Sequence, residues 1–257
     1  MNAPDVALPL RVYWRQGCSS CVKVKEYLSG LGMEYESIDV GLRPQAMQEL
    51  RAMGVRSVPV VARGTDYVFA QALEDVSRFV GADYRADRLP PDVLMKKWLH
   101  VLAAAQRHVL QVPRARLAER ATPGRDRSIR DLACHIYQIP DAFLGAVVEG
   151  DPDLAARYNL PAPAGVETPE QIRAFGGKVE QRLAAWWAGL ADRSGRQTVQ
   201  TYYGERPLHE LLERSAWHSA QHARQIIAVL EGFGIAVDGP LTAEDYAGLP
   251  LPAGLWA

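Results

Sequence analysis

The sequence predicts an α/β domain followed by an all-α four-helix bundle, and three observations predict it. Roughly the first eighty of the 257 residues alternate short β-prone runs with helix-spaced apolar residues. Strand patterns nearly vanish from about Pro90 onward, where long amphipathic stretches take over. Between the halves, Asp83 to Pro91 is charged and ends in Pro90-Pro91, as a linker does. The domains are read as residues 8–83 and 92–234, with 84–91 as linker and 235–257 as a C-terminal tail.

Leu10 to Trp14 is the first β-prone run, ended by the Gly17 turn before Cys18. Val22, Val24, Tyr27, Leu28 and Leu31 then keep helical spacing, closed by Gly30 or Gly32. Tyr35 to Val40 reads as a strand. Pro44 to Met53 reads as a helix, with proline suited to its first turn and Gly54 to its exit. Val58 to Val61 and Tyr67 to Phe69 are strands around a Gly64-Thr65 turn. Ala72 to Val80 closes the domain as a helix before Gly81, giving the order β-α-β-α-β-β-α.

In the second half, Asp92 to Gln111 is amphipathic, and Ser128-x-x-Asp131 opens a second helix like a capping box. Pro140 predicts that this helix is kinked or split. A polar, proline-rich connection from Asp151 to Glu167 leads to Thr168-Pro169-Glu170-Gln171, a cap and first turn. A fourth helix spans about Pro207 to Glu231, and Thr198 to Tyr203 is suited to a small hairpin before it. The tail packs back on the bundle or contributes to a homodimer through exposed-looking Leu249, Leu251, Leu255 and Trp256; the sequence leaves both open.

Apolar residues make up 48% and charged residues 23%, a globular balance. Nine basic against ten acidic residues before position 84, and twenty against twenty after it, leave no basic face for nucleic acid. No apolar run approaches the ~20 residues of a membrane span, and Met1 to Pro9 shows no leader pattern. A soluble, cytoplasmic chain with a small-molecule partner is the expectation.

Cys18 and Cys21 form a C-x-x-C where strand gives way to helix, and Cys134 stands alone. A cysteine at a helix N-terminus is stabilised as thiolate, and one a turn further on can attack a mixed disulfide at the first. Half a zinc site and two buried structural thiols are the competing readings. The run Val12-Tyr13-Trp14-Arg15-Gln16-Gly17-Cys18-Ser19-Ser20-Cys21, with Val58-Pro59 downstream, resembles the glutaredoxins of the thioredoxin fold over residues 10–82. The resemblance implies Cys18 as nucleophile, Cys21 as resolving thiol and a cis peptide before Pro59. It also implies a substrate surface including Trp14, Arg15, Val58 and Pro59. Where glutaredoxins carry a Gly-Gly pair for glutathione, this chain reads Val68-Phe69-Ala70-Gln71-Ala72-Leu73. Glutathione, another small thiol and a protein disulfide are therefore all open as partners.

His218 and His222 lie four apart on the fourth predicted helix, inside an apolar stripe that includes Leu211, Leu212, Ser215, Ser219 and Ile226. Buried imidazoles need partners, and a shared metal or ordinary core hydrogen bonds would each supply them. His135, at the edge of the second helix's apolar face, completes a three-histidine set able to bind zinc, nickel or iron. Leu132-Ala133-Cys134-His135-Ile136 followed by Ala216-Trp217-His218-Ser219-Ala220-Gln221-His222 resembles the DinB/YfiT-like metalloenzymes over residues 91–233. That resemblance implies a four-helix bundle, His135, His218 and His222 as ligands of a divalent transition metal, and thiol-transferase chemistry with a small thiol. Cys134 reads as a buried apolar residue, and His100, His108 and His209 as packing or surface groups.

Together these readings predict a thiol–disulfide oxidoreductase fused to a metal-dependent small-thiol transferase. The alternatives are a reductase whose bundle is a non-catalytic ligand- or partner-binding module, and a metal-based redox sensor.

Overall fold

A computed structural model of the chain describes residues 8–122 and 125–256; residues 1–7, on which the leader expectation falls, and 257 lie outside it, as do 123–124. The described residues divide into two compact units, residues 8–86 with 252–256, and the described part of residues 87–251.

The first unit runs β1 (Leu10–Trp14), α1 (Ser19–Gly30), β2 (Glu36–Asp39), α2 (Pro44–Ala52), β3 (Val60–Arg63), β4 (Asp66–Phe69) and α3 (Leu73–Val80). This is the predicted order. The sheet order is β2-β1-β3-β4, with β1 parallel to β2 and antiparallel to β3. Val12 and Tyr13 are neighbours in β1 and point to opposite faces, yet both are fully buried. One face is covered by α1 and α3 through Val24, Leu28 and Val76, the other by α2 through Ala46 and Leu50. A thioredoxin-like α/β sandwich results. The third strand begins two residues later than predicted, because Pro59 cannot donate to the ladder; the Val58–Pro59 peptide is cis, as the resemblance implies.

The second unit contains α4 (Pro91–Gln111), α5 (Ile129–Val148), α6 (Leu154–Tyr158) and α7 (Pro169–Gly189). The hairpin β5 (Thr198–Thr201) and β6 (Gly204–Pro207) follows, then α8 (Leu208–Gly232) and the short α9 (Ala243–Tyr246). The four long helices form the bundle: α4 and α5 each pack against both α7 and α8, so α4 lies diagonally across from α5, and α7 from α8. Ser128 caps α5 by accepting from the Asp131 N–H, and Thr168 with Gln171 forms the full capping box of α7. Among the described residues no helix is long and apolar enough to cross a membrane.

Pro140 lies inside α5, and the helix is continuous from Ile129 to Val148 rather than split. A proline at 140 cannot donate to the carbonyl of Ile136, one turn earlier. That carbonyl instead accepts from Ser219 Oγ of α8 at 3.2 Å, while the same hydroxyl accepts from Trp98 Nε1 of α4 at 3.0 Å. The packing of a neighbouring helix thus replaces the missing backbone donor.

The connection after α5 is not the plain loop the proline-rich sequence suggests, because α6 folds within it. Asp153 caps this helix, and Arg157 anchors it to Asp151 at 2.6 Å and to Glu149. The tail packs back on the bundle: Gly239 O receives His108 Nε2, Lys97 donates to Glu244 and Asp245 carbonyls, and Leu249 is buried. From Pro252 on, the chain groups with the first unit, where Ala253 and Gly254 donate to the Glu26 carboxylate. Leu251, Leu255 and Trp256 are half-buried, not exposed as their sequence setting suggests.

Candidate functional site

The first unit brings Cys18 and Cys21 together as a disulfide, with Cα atoms 5.2 Å apart. Cys18 is the N-cap of α1, and its sulfur accepts from the Cys21 N–H at 3.2 Å. The sulfur at 18 therefore meets the unsatisfied N–H groups of a helix start, where negative charge is favoured. No acidic residue occupies the first turn of α1 to oppose it. Cys18 is half-buried, whereas Cys21 is fully buried, so the first sulfur is the one an incoming group reaches.

The other predicted residues of this unit are placed as follows. Trp14 is half-buried at the end of β1, and Lys25 Nζ covers its ring at 3.7 Å from the centroid. Burial lowers the Lys25 pKa, with Asp39 opposing. Arg15 is exposed. Val58 is half-buried beside the buried Pro59, and the buried Gln71 amide donates to Val58 O at 3.4 Å. Gln71 belongs to the stretch that stands in place of a glycine pair.

The second unit brings together His135 of α5 with His218 and His222 of α8. One ring nitrogen from each lies within 4.8 Å of the others, and all three side chains are buried. Ring centroids are 4.7 Å apart for His135–His222, 4.9 Å for His218–His222 and 5.5 Å for His135–His218. The i, i+4 spacing stacks the two α8 rings, and the Ser219 hydrogen bond to Ile136 O fixes α8 against α5 at this level.

His135 Nδ1, His218 Nδ1 and His222 Nε2 are buried without a hydrogen-bond partner. Three such nitrogens around one point are costly unless something binds them. His222 Nδ1 lies 2.6 Å from Gln225 Oε1, which fixes the proton on Nδ1 and leaves the Nε2 lone pair free. Burial drives all three pKa values well below the ordinary histidine value. The Arg127 guanidinium pushes the same way on each, and Arg214 adds to it at His218. The rings are therefore neutral at physiological pH, the form that ligates metals. The donor set fits a divalent transition ion with further positions open.

Four groups at this site escape the motif. Tyr158 of α6 sets its ring edge-on to His135 and His218, at 5.9 and 5.6 Å between centroids. Gln225 and Arg127 act as described, and Arg214 lies one turn before His218 on α8. Arg214 and Gln225 fall at helical offsets from the histidine pair, so that spacing is a readable signal; Tyr158 sits on a five-residue helix with none. Cys134 is fully buried and outside the histidine set, its thiol pushed up to about 12 by burial. His100 pairs with Asp245 at 2.9 Å and His209 meets Leu89 O at 2.8 Å, both packing roles.

The first unit is a dithiol–disulfide domain of the thioredoxin fold, and the second a four-helix bundle with a buried histidine cluster. The glutaredoxin family profile matches residues 10–68. The chain is 37% identical over 57 residues to the glutaredoxin-like protein NrdH of Salmonella typhimurium, covering 22% of this chain and 70% of that one. Through this domain the chain belongs to the glutaredoxin family. It is also 41% identical over 59 residues to the N-acetyl-S-hydroxy-L-cysteine reductase of Bacillus subtilis, covering 22% of this chain and 63% of that protein. Among solved structures, YfiT from Bacillus subtilis, described as a probable metal-dependent hydrolase with an unusual four-helix bundle topology, superposes with a TM-score of 0.46. The identity is 16%, over 60% of this chain and 96% of that one.

Proposed function

We propose that the chain is a thiol–disulfide oxidoreductase whose bundle holds a divalent metal ion and works on a small thiol. The observation that carries the bundle's part is the meeting of three buried, neutral imidazoles with unpartnered nitrogens. His135, His218 and His222 would hold the ion, which when bound favours the thiolate form of a coordinated thiol. Gln225 orients the His222 ring, and the Ser219 bridge between helices keeps the three rings in register. Tyr158 closes one side of the cluster against water.

In the first unit, the Cys18 thiolate attacks one sulfur of a mixed disulfide, forming a new Cys18–substrate bond and expelling the other thiolate. The Cys21 thiol loses its proton and attacks Cys18 Sγ, which releases the second thiolate and forms the Cys18–Cys21 disulfide. The dithiol gives up two electrons in this exchange, and an external thiol or dithiol reductant returns them. The half-buried position of Cys18 and the full burial of Cys21 support that division of labour.

Metal analysis of the full chain, purified from metal-replete medium without chelator, tests the bundle's role. About one divalent ion per chain is expected, lost in His218→Ala and His222→Ala. Metal-free protein from that medium refutes the metal half. Disulfide reduction should vanish in Cys18→Ser; persistence there refutes the redox half. Thiol transfer that survives loss of the ion makes the bundle a binding module only.

A further inference from the structure

Cys18, Val22 and Glu26 are spaced four residues apart, so they mark successive turns along one flank of α1. The Val22 N–H donates to Cys18 O at 3.2 Å, which fixes the first of these turns. Val24 and Leu28 belong to the apolar core on which α1 packs; Val22 is not part of it, yet is only 7% exposed. Against Val22 lies the segment Pro252 to Trp256, which groups with this unit. Gly254 comes so close that a Cβ there would stand 3.1 Å from Val22 Cγ1 and 3.1 Å from Glu26 Oε1. The Glu26 carboxylate accepts from two consecutive backbone N–H groups, those of Ala253 at 2.9 Å and Gly254 at 2.6 Å. Pro252 is buried, and further contacts of Pro252 through Leu255 help to hold the segment.

This flank bears on the size of the partner that Cys18 can meet. A small disulfide needs room only at the sulfur itself. A protein partner in a stable interface covers about 800 Å², a disc of about 16 Å radius. Val22 lies one helical turn from Cys18, about 5–6 Å along the axis, and Glu26 one turn further. A disc of that size centred on Cys18 therefore includes the ground that the segment occupies. An apolar side chain beside the nucleophile is also a natural contact for a docking protein, and Gly254 already takes it.

We propose that residues 252–256 form a strap that sets the substrate class of the dithiol, admitting small disulfides to Cys18 and holding back protein disulfides. The inference rests on the thiol–disulfide reading above and deepens it. Glu26 is the latch and Gly254 the point of closest approach; neither takes part in the exchange itself. Position 254 has a physical reason to lack a side chain, because any Cβ there pushes the strap off Val22 and Glu26.

The test uses the full chain, reduced and freed of reductant, with two disulfides that share a leaving group. One is dithiobis(nitrobenzoate); the other is serum albumin whose free thiol carries thionitrobenzoate in a mixed disulfide. In each, the Cys18 thiolate bonds to one sulfur and expels the yellow thionitrobenzoate thiolate. Cys21 then loses its proton, attacks Cys18 Sγ and releases the remaining thiolate. Stopped-flow absorbance gives both rates. The double variant Glu26→Ala with Gly254→Val should react with the albumin disulfide about tenfold faster than wild type, as when a hydrogen bond to a carboxylate no longer has to be broken. Its rate with the small disulfide should stay close to that of wild type. An unchanged albumin rate, or an equal rise with both substrates, overturns the strap. Should the double variant lose both rates through a damaged fold, each single variant is read by the same ratio, and a wild-type ratio in both overturns it. A wild-type chain that releases thionitrobenzoate no faster than Cys18→Ser overturns instead the redox reading beneath.

Discussion

Ser219→Ala removes one hydroxyl that satisfies two groups on two other helices. Ser219 is fully buried; its oxygen accepts from Trp98 Nε1 at 3.0 Å and its proton goes to Ile136 O at 3.2 Å. The variant leaves a buried indole N–H and a buried carbonyl unsatisfied. At about 1–3 kcal/mol each, the cost is about 2–6 kcal/mol. For a unit of this size that lowers the midpoint of thermal unfolding by roughly 5–20 °C. The Ile136 carbonyl's share of this cost depends on Pro140, which has no N–H to give it. In a Pro140→Ala background the helix supplies its own donor, so Ser219→Ala should cost about 1–3 kcal/mol less there. Urea unfolding of the four proteins of this cycle, followed by far-ultraviolet circular dichroism, measures both quantities. A Ser219→Ala cost below about 0.5 kcal/mol, or an equal cost in both backgrounds, refutes the reasoning.

Cys134 should resist iodoacetamide at pH 8 in the native oxidised chain, because burial pushes its thiol up to about 12 and leaves almost no thiolate; native labelling at Cys134, read by mass spectrometry, would contradict this. Gly145→Ala places a methyl group against the Arg157 guanidinium, which Asp151 and Glu149 hold in place, and should cost about 1–3 kcal/mol while displacing the helix that carries Tyr158; an unchanged unfolding curve and near-ultraviolet spectrum would refute it. Burial lowers the His108 pKa, so below the unfolded value of about 6.5 the unfolded chain gains a proton that the folded chain refuses, and stability falls with pH. His108→Gln should flatten the stability slope below pH 6 by up to about 1.4 kcal/mol per pH unit, and identical slopes in variant and wild type would count against it.

The first unit was legible almost throughout, since each of its elements carries its own local punctuation. Gly81 takes a left-handed φ of 75° at the end of α3, and Pro44 opens α2. The Cys18–Cys21 pair was legible for the same reason: its meaning is set by a strand end and a helix start a few residues apart. The histidine cluster was legible only in part. His218 and His222 announce themselves by spacing, and His135 by its place at the edge of the second helix's apolar face, to which the family resemblance gives the same role. Tyr158 could not be read, because its helix exists through the Arg157 anchor to Asp151 and Glu149 rather than through any apolar period.

Pro140 shows why a local rule could not decide whether the second helix stays whole. The prediction of a split rests on an unsatisfied carbonyl, and that premise fails once a donor arrives from another helix. Ser219 is such a donor, and it lies between the two metal-competent histidines in sequence. The residue that satisfies the Ile136 carbonyl in α5 is therefore also the residue that sets α8 against α5 at the level of the rings. The continuity of α5 and the convergence of the histidines share one cause, a buried hydroxyl. A substitution that relieves the proline would ease the first requirement, yet the second would still need Ser219. Coupling between positions 140 and 219 should accordingly appear in stability more strongly than in metal affinity, because only stability contains the carbonyl's unpaired cost.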